Sequence, residues 1–334
     1  MLGKEVVMAV LVTGGAGYIG SIATEKLAQA GENVVVLDNL ATGHRQAIHP
    51  DAVFVQGDIQ NRSLLIETMR AYAIDAVLHF AAFIVVSESC AKPGLYFGNN
   101  TFGAHTVLDA MREAGVSKFI FSSTAAVYGH PDSVPIGEEA AIRPLNPYGI
   151  SKRMVEEMLA WHDQAHGLRY TALRYFNAAG ATVERGEDHY PETHLIPNVL
   201  AAASGDTQAI EVFGSDYATP DGTCIRDYVH IEDLIDAHLR ALSYLRDGGS
   251  SQIINLGSST GVSVLEVIDA VQRVTGKAVT VQMSARRPGD STRLVASSQK
   301  AHEVLGWFPR KGDIETIVED AWAWRLKHPE GYAD

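Results

Sequence analysis

A tyrosine and a lysine four residues apart are the side chains in this sequence best suited to acid–base chemistry. Tyr148 and Lys152 fall in a segment expected to be helical, where that spacing puts both side chains on one face, about one turn apart. A free phenol, with a pKa of about 10, is a poor base at neutral pH. A neighbouring ammonium favours the phenolate and lowers this pKa. The pair therefore predicts a tyrosine base.

Tyrosine and lysine take this spacing by chance on many solvated helices, so the pair alone is a weak signal. Two other features strengthen it. Three consecutive hydroxyl side chains, Ser122, Ser123 and Thr124, follow a predicted sheet strand. A glycine-rich turn also occurs near the start of the chain. In combination, these features indicate an enzyme that binds a cofactor beside its base.

The glycine-rich turn lies between the first predicted strand and the first predicted helix, the context that a dinucleotide-binding turn requires. Gly14, Gly17 and Gly20 have the spacing GxxGxxG. We expect them, in that order, to permit a tight turn, to let the backbone approach a pyrophosphate, and to pack the helix closely on the sheet. Tyr18 and Ile19 in the same turn are expected to contact the cofactor. The alternative is a turn that binds no ligand.

Asp38 ends the second predicted strand, about 20 residues beyond the glycines, where a carboxylate accepts hydrogen bonds from an adenosine ribose. A carboxylate there favours NAD over NADP, although Arg45 nearby leaves an opening for NADP. Asp58 and Ile59 follow the third predicted strand and are expected beside the adenine. Capping of the next helix by Asp58 is an equal alternative. The positive nicotinamide of NAD would further favour the phenolate of Tyr148.

Short β-branched runs alternate with amphipathic segments through the first half of the chain. This βαβ rhythm predicts an α/β fold with a doubly wound parallel sheet of the Rossmann type, covered by helices on both faces. The predicted strands are 6–12, 33–37, 52–56, 76–79, 118–121, 170–174, 253–256 and 279–282. The predicted helices are 18–30, 63–72, 101–114, 148–166, 195–203, 232–244, 264–275 and 314–326.

After residue 177 the pattern loosens into a segment rich in Gly, Asp, Glu, His and Pro, where a second domain is expected to begin. We predict an NAD-binding domain over residues 1–178, which later segments at about 226–257 rejoin. We predict a smaller C-terminal α/β domain for the substrate over residues 179–334.

The composition argues against several classes of partner. The 40 acidic and 27 basic residues give a net charge of −13, and no cluster of Lys and Arg offers a surface for nucleic acid or an anionic membrane. No run of about 18 apolar residues predicts a transmembrane helix. Cys90 and Cys224 are too far apart for a CxxC site and too few for a disulfide framework. We therefore expect a cytoplasmic protein with a small substrate.

Many long motifs along the chain are specific to one family. They are VTGGAGYIG, LDNL, GDI, HFAA, FSSTAAVYG, NPYGISK, LRYFNAAGA, PETHLIP, DGTCIRDYVHIEDL, INLGS, RRPGD and HPEGY. On these motifs the chain resembles the extended short-chain dehydrogenase/reductases, and within them the UDP-glucose 4-epimerases, over essentially its whole length. The resemblance implies NAD that stays bound and is regenerated in each cycle, and a UDP-glucose/UDP-galactose substrate pair.

The resemblance also implies catalytic roles. Tyr148 would take the proton of the sugar O4, Lys152 would support it and anchor the cofactor ribose, and Thr124 would bond the sugar O4. Hydride would pass from the sugar C4 to the nicotinamide, after which the 4-keto sugar turns on its diphosphate and receives the hydride on its other face. Further cofactor contacts are implied at Asn39, Phe80, Ala81, Ala82, Asn99 and Phe176.

Contacts with the nucleotide part of the substrate are implied at Asn177, His194, Leu195, Arg226, Arg287 and Asp290. Asn177, Arg226 and Arg287 would hold the diphosphate, since arginine suits paired phosphate oxygens. Asp290 would bind the uridine ribose, and Leu195 would lie near the uracil. Without the resemblance, the two arginines could equally form surface ion pairs.

Two departures from the family leave questions open. Ile84 stands where the family frequently has lysine, so one cofactor contact is absent or supplied otherwise. In the family, the position of Leu294 controls the room around the sugar C2 and C6 substituents. The intermediate size of leucine leaves open whether N-acetylhexosamines are accepted, and uronates and pentoses also remain possible substrates. The resemblance further implies a homodimer through helices near residues 101–114 and 148–166.

Two other functions are possible for this fold. Nucleotide-sugar dehydratases and decarboxylases have an acidic residue just after the hydroxyl, where this chain has Ala125 and Ala126, so dehydration is disfavoured. A non-catalytic NAD-binding protein is also possible, because fold alone does not fix function. The intact set of Thr124, Tyr148 and Lys152 argues against it.

Acidic and histidine side chains crowd the segment 184–194. Its members are Glu184, Glu187, Asp188, His189, Glu192 and His194. Their spacing matches no standard ligand pattern, so the sequence predicts no metal site and a solvated loop that covers the nucleotide. A metal site is the less favoured alternative.

Overall fold

The computed structural model describes residues 8–287 and 290–332. Its strands are β1 (Ala9–Thr13), β2 (Asn33–Asp38), β3 (Val53–Gln56), β4 (Ile74–His79), β5 (Lys118–Thr124), β6 (Arg169–Tyr175), β7 (Asn177–Ala179), β8 (Ile210–Phe213), β9 (Ile225–Arg226), β10 (Tyr228–His230), β11 (Gln252–Leu256), β12 (Val262–Ser263), β13 (Val281–Ser284) and β14 (Arg293–Leu294). Its helices are α1 (Tyr18–Gln29), α2 (Arg62–Ala71), α3 (Val86–Ala91), α4 (Pro93–Tyr96), α5 (Gly103–Ala114), α6 (Pro147–His166), α7 (Leu195–Ser204), α8 (Ile231–Arg246), α9 (Val264–Thr275), α10 (Gln299–Leu305) and α11 (Ile314–Lys327). The first two residues of the predicted strand 6–12 lie outside the described residues.

The centre of the molecule is a seven-stranded sheet in the order β11-β6-β5-β4-β1-β2-β3. Every neighbouring pair in it is parallel. The chain winds outward from β1 in one direction through β2 and β3, and in the other through β4, β5 and β6. Ligands of such sheets bind outside the carboxyl ends of the strands, where the winding reverses. The predicted doubly wound α/β fold is confirmed.

Helices cover both faces of this sheet because successive strand residues point to opposite sides. On β1, Val10 and Val12 pack under α1, α8 and α10. The intervening Leu11 packs under α2, α5 and α6. Burial on both faces explains why the strands are nearly continuous in aliphatic residues.

Helix α6 is the longest helix beside the site and has well-defined ends. The side chain of Asn146 accepts a hydrogen bond from the amide of Gly149, Pro147 occupies the first turn, and Gly167 ends the helix with φ +69°. The helix starts one residue before the predicted start. Strand β5 extends to Thr124. The three hydroxyl residues therefore lie within the strand, and not after it as predicted.

A second apolar core forms where α7, α9 and α11 pack together beside the parallel pair β8 and β13. Strand β11 comes after α7 and β8 in the chain, yet it pairs with β6 in the central sheet. Two further small sheets pair β7 with β10, and β9 with both β12 and β14. Within the described residues, no helix has the length and apolar character needed to cross a membrane.

Candidate active site

The glycine-rich turn connects β1 to α1 in a conformation that only glycine tolerates well. Gly14 has φ +75°, and a Cβ added there would lie 2.5 Å from the backbone nitrogen of Ala81. A Cβ on Gly20 would clash with the carbonyl oxygen of Gly14. A Cβ on Gly17 would meet only the Gly14 oxygen, at 3.5 Å. The first and third glycines are therefore required by packing, and the second leaves open space beside the helix.

The amino end of α1 fits an anionic ligand. Gly17 caps the helix without a side-chain hydrogen bond, and the first turn carries no acidic residue. The first amides of a helix lack partners within the helix and carry a partial positive charge. Backbone donors of this kind suit the pyrophosphate of a dinucleotide.

Asp38 supports the glycine turn through its carboxylate. It accepts hydrogen bonds from the amides of Ala16, at 3.0 Å, and Leu40, at 2.8 Å. Burial raises the pKa of Asp38, and these two bonds partly oppose the rise. The carboxylate is thus at the end of β2 as predicted, and it is held in place by the loop that it supports.

The neighbouring acidic residue settles one of the alternatives. Asn61, not Asp58, caps α2, since its side chain accepts from the amide of Leu64. Asp58 instead accepts from the side chain of Asn39 at 2.9 Å and from the amide of Gln60 at 2.8 Å. The capping role considered for Asp58 is therefore wrong.

The other predicted cofactor residues lie around the carboxyl edge of the sheet. Phe80 and Ala81 leave β4 with their amides donating to the carbonyl of Thr13 in β1. The side-chain amide of Asn99 donates to the side-chain oxygen of Asn100. The Asn100 side chain also accepts from the backbone N–H of Phe83 and donates to its carbonyl oxygen. The remaining predicted cofactor residues are buried or half-buried: Tyr18, Ile19, Ile59, Ala82 and Phe176. Arg45 lies over the ring of Phe54, 4.9 Å from its centroid.

Tyr148, Lys152 and Thr124 meet where α6 crosses the end of β5. Tyr148 is half-buried and interacts with the Thr124 hydroxyl. Lys152 is 3% exposed, and its Nζ donates to the carbonyl oxygen of Ser122 at 2.9 Å. The same Nζ lies 5.0 Å from the ring centroid of Phe121. The structure therefore assembles the three predicted catalytic groups.

The acid–base properties of the pair differ from the expectation. Burial raises the pKa of Tyr148, and the Thr124 hydroxyl only partly offsets this. Burial also lowers the pKa of Lys152 to about 7. In the chain alone the pKa of Tyr148 is therefore raised, and its lowering by Lys152 together with bound NAD stays a prediction.

A buried polar network fixes α6 behind these residues, and sequence reasoning missed it. Glu156 pairs with Arg174 of β6 through two bonds, of 2.8 and 2.7 Å. Glu156 also accepts from Ser123 at 2.7 Å, and Arg174 donates to Tyr128 at 2.8 Å. Glu156 follows Lys152 by the same four residues that separate Lys152 from Tyr148, so it lies on the same helix face. That spacing is the signal that could have identified it.

The predicted substrate residues are only partly gathered. Arg226 lies 3.4 Å from Asp290, and it donates to the carbonyl of Ser291 at 2.7 Å. The Asn177 side chain donates to the carbonyl of Asp227 at 2.8 Å. Arg287 stacks over the ring of Phe213, 3.7 Å from its centroid. Arg226, Asp290 and Asn177 thus lie around β9, and Arg287, whose side chain lies over Phe213, is joined to Asp290 by a backbone hydrogen bond.

Leu195 and His194 lie at the start of α7. Leu195 is its first residue and is half-buried. The Nδ1 of His194 lies 2.7 Å from Glu187 and 2.9 Å from Glu192. The expected solvated loop is wrong for this part of the segment, because Glu187 and Glu192 are 7% and 19% exposed. Glu184, at 64%, does face solvent.

Comparison with known proteins identifies the family. The model of the NAD dependent epimerase/dehydratase family matches residues 10–257. UDP-glucose 4-epimerase of Streptococcus mutans is 53% identical over 331 residues, covering 98% of this chain and 99% of that protein. The chain belongs to the NAD-dependent epimerase/dehydratase family, and within it to the UDP-glucose 4-epimerases.

Solved structures of this family agree with the fold. A crystal structure of UDP-glucose 4-epimerase, 51% identical, has a TM-score of 0.96 and covers 98% of this chain and 100% of that chain. The enzyme of Bifidobacterium longum, solved in complex with NAD+ and UDP, is 35% identical, has a TM-score of 0.92 and covers 97% and 100%. The expected family is confirmed, and NAD is its cofactor.

Proposed function

We propose that this epimerase interconverts UDP-glucose and UDP-galactose by oxidising and re-reducing the sugar C4. The meeting of Tyr148, Thr124 and Lys152 at the carboxyl edge of the sheet is the observation that carries the proposal. One proposed base, one hydroxyl and one ammonium at the same edge of the sheet as the glycine turn support this reaction. The reaction class needs no further acid, which agrees with Ala125 and Ala126 after the hydroxyl.

Tyr148 acts as the base in this proposal. Its phenolate takes the proton of the sugar O4 and returns it after the sugar has turned. Bound NAD would supply the acceptor and donor of the C4 hydride and a positive charge that favours the phenolate. Thr124 bonds the sugar O4 and steadies the phenol, which its hydroxyl already contacts. Lys152 stabilises the phenolate and bonds the cofactor ribose, with its Nζ oriented by the Ser122 carbonyl.

Return of hydride to either face of the 4-keto sugar requires tight binding of the nucleotide and weak binding of the sugar. We assign the tight binding to Arg226, Asn177 and Asp290, which lie together around β9. His194, Leu195 and Arg287 complete the proposed nucleotide contacts. Arg287 would have to leave the ring of Phe213 to reach a phosphate, and stacking holds it near the site meanwhile.

The remaining cofactor contacts are proposed for the residues around the glycine turn and the carboxyl edge. They are Gly14, Gly17, Tyr18, Ile19, Gly20, Asp38, Asn39, Asp58, Ile59, Phe80, Ala81, Ala82, Asn99 and Phe176. Asp38 would accept from the adenosine ribose, a role that its buried position at the end of β2 supports.

The choice of sugar is assigned to the region of Leu294. It is half-buried in β14 and pairs with Arg226 in β9, so it lies beside the proposed diphosphate grip. A UDP-sugar with an N-acetyl group, a carboxylate or no C6 is the alternative substrate, and a larger or smaller side chain at this position would shift the preference.

We propose a homodimer that forms through α5 and α6. Large apolar side chains are exposed along this pair of helices: Phe102 is 56% exposed, Met154 42% and Trp161 69%. Exposed apolar side chains just before α5 and along α6, on a protein with a net charge of −13, support a contact between subunits there. Light scattering on the purified protein tests it, and Trp161→Glu should shift a dimer toward monomer.

We also retain the proposed domains and compartment. Residues 1–178 with about 226–257 form the NAD-binding domain, as the pairing of β11 with β6 supports. Residues 179–334 form mainly the UDP-sugar-binding domain. Cys90 and Cys224 are both free thiols, which supports a reducing cytoplasm, and the acidic surface argues against nucleic-acid or membrane partners.

Conversion of UDP-galactose without added cofactor is the test. Purified protein should produce UDP-glucose, and Tyr148→Phe should lose at least about 100-fold in rate, the lower range for an acid–base group. Tyr190→Phe is the matched control, because Tyr190 is fully exposed at 100% and should keep the full rate. No conversion of UDP-galactose, even with added NAD, contradicts the proposal, and conversion of only an N-acetyl, uronate or pentose UDP-sugar would favour the alternative substrate.

A further inference from the structure

Four potential metal ligands converge in the segment before α7, outside the proposed catalytic groups. We call them the His–Glu quartet: Glu187, His189, Glu192 and His194. One donor atom from each lies within 4.8 Å of every other. The sequence spacing matches no standard motif, so only the folded segment brings them together.

The distances within the quartet suit a shared central ion. His189 Nδ1 lies 3.2 Å from Glu187 and 3.8 Å from Glu192. A tetrahedral zinc ion with bonds of about 2.0–2.2 Å separates neighbouring donors by roughly 3.3 Å. The two shorter distances, 2.7 and 2.9 Å from His194 to the carboxylates, need a movement of only about half an ångström.

One nitrogen of the quartet lacks a hydrogen bond. His189 Nδ1 is buried and close to two carboxylates, yet it makes no hydrogen bond within the described residues. Proximity without alignment is expected when a ring nitrogen is directed at a common centre rather than at a neighbouring oxygen. This nitrogen is close enough to Glu187 for an ion pair but is not aligned for a hydrogen bond, a geometry that a shared ion would satisfy.

The charge around the quartet also favours a cation. No lysine or arginine pairs with Glu187 or Glu192 among the described residues, so only protons on His189 and His194, or a bound ion, balance these two carboxylates. A second group, His230, Glu232 and Asp320, differs in this respect. There Lys311 bonds both carboxylates and already supplies the positive charge.

We propose that the His–Glu quartet binds one divalent transition-metal ion, for which Zn²⁺ is the best match. Imidazole nitrogens with carboxylate oxygens suit zinc and its neighbours rather than calcium or magnesium. Four protein ligands close the coordination sphere, which makes the site structural rather than catalytic. The ion takes the place of the two imidazole protons that otherwise hold the quartet together as ion pairs.

The location of the quartet indicates that the ion would connect two parts of the structure. The ring of His189 lies edge-on to Tyr18 of α1, with centroids 6.2 Å apart, and the Tyr18 hydroxyl donates to the carbonyl of Gly180 at 2.6 Å. His194 caps the start of α7, directly before Leu195. The ion would therefore fasten the start of α7 to the segment that packs on the glycine-turn helix.

The test is metal binding by the tag-free, full-length protein. After treatment with a chelator, the protein should take up one equivalent of Zn²⁺, measured by elemental analysis and competition with a chromogenic chelator. Co²⁺ should give the strong visible absorption of a four-coordinate site. Zn²⁺ should also raise the melting temperature.

Glu187→Gln and His194→Asn should weaken Zn²⁺ binding by more than about 100-fold, the upper range for a residue that only supports a ligand. Glu184→Gln is the matched control in the same segment, since Glu184 is exposed and lies outside the quartet, and it should bind Zn²⁺ normally. An unsubstituted protein that binds neither ion overturns the proposal, whether or not the variants fold. Wild-type affinity in Glu187→Gln overturns it as well.

Discussion

The Nζ of Lys152 donates to the carbonyl oxygen of Ser122 over 2.9 Å, so a nearly inaccessible lysine on α6 is anchored to strand β5. Its position is set by the backbone of the central sheet rather than by another side chain. The bond leaves two ammonium protons for the phenol and the cofactor ribose. The orientation of the proposed base therefore depends on how α6 sits on β5.

Lys152→Met should lower kcat by about 100-fold or more, because the phenolate loses its cation. Lys152→Arg should not restore the rate, since a guanidinium is larger and planar and the site is 3% exposed. Steady-state kinetics at saturating substrate, with bound NAD measured in the same samples, check this. Lys118→Met at the start of β5 is the control. Full activity in Lys152→Arg would contradict the orientation described.

The pair Glu156 and Arg174 should contribute strongly to stability. Glu156→Gln leaves Arg174 buried beside a neutral partner, and breaking a buried pair costs about 3–5 kcal/mol of unfolding free energy. Glu157→Gln breaks a pair with Arg153 on the same helix, where Glu157 is 58% exposed, and should cost less than about 1 kcal/mol. Urea denaturation measures both. Equal losses in the two variants would refute the network's role.

Substitutions at Gly14 and Gly115 distinguish the cost of a left-handed backbone from the cost of a steric clash. Both have positive φ, +75° and +79°, but an added Cβ meets Ala81 at Gly14 and nothing within 4 Å at Gly115. Gly115→Ala should cost only about 1–2 kcal/mol, the penalty of the left-handed backbone. Gly14→Ala should cost clearly more and should release NAD.

Thermal melting and the NAD content of the purified variants measure this difference. If Gly14→Ala retained NAD and melted no lower than Gly115→Ala, the close contact with Ala81 would have no consequence. That outcome would also remove the reason for glycine at this position of the turn.

His79 should make the protein sensitive to mild acid. Burial, aided by the nearby charge of Lys152, lowers the pKa of His79 to about 3, and its ring bonds Thr13 at 2.7 Å. Between the usual value of about 6.5 and the folded value, only the unfolded chain takes up the proton, so stability falls as pH falls. From pH 7 to pH 5 the loss from this residue is about 2 kcal/mol.

His79→Asn removes the titrating ring and should lose about 2 kcal/mol less than wild type over that pH range. Urea denaturation at pH 7 and pH 5 measures the difference. His166→Asn is the control, because this ring lies at the exposed end of α6, and its loss should equal that of wild type. An identical pH dependence in His79→Asn would show that this ring is not buried and neutral.

The longer helices, the strands of the central sheet and the pair Tyr148 and Lys152 were predictable from the sequence, whereas the short helices α3, α4 and α10 were not predicted. Each depends on local spacing: a period of two or 3.6 residues, a four-residue step on a helix, or a glycine turn between a strand and a helix. The boundaries moved by one to three residues, one at the start of α6 and three at the end of β5, because capping and sheet pairing decide where an element ends.

Contacts between distant parts of the chain were not predictable in this way. Register and burial in the folded protein pair Glu156 with Arg174, hold Arg287 on Phe213 and gather the His–Glu quartet. The pKa of Lys152 falls for the same reason, since desolvation depends on what surrounds the ammonium and not on its neighbours in sequence. The sequence by itself thus determined the fold, the family and the candidate reactive groups, while the tertiary structure decided their partners, their protonation and which of them lie together.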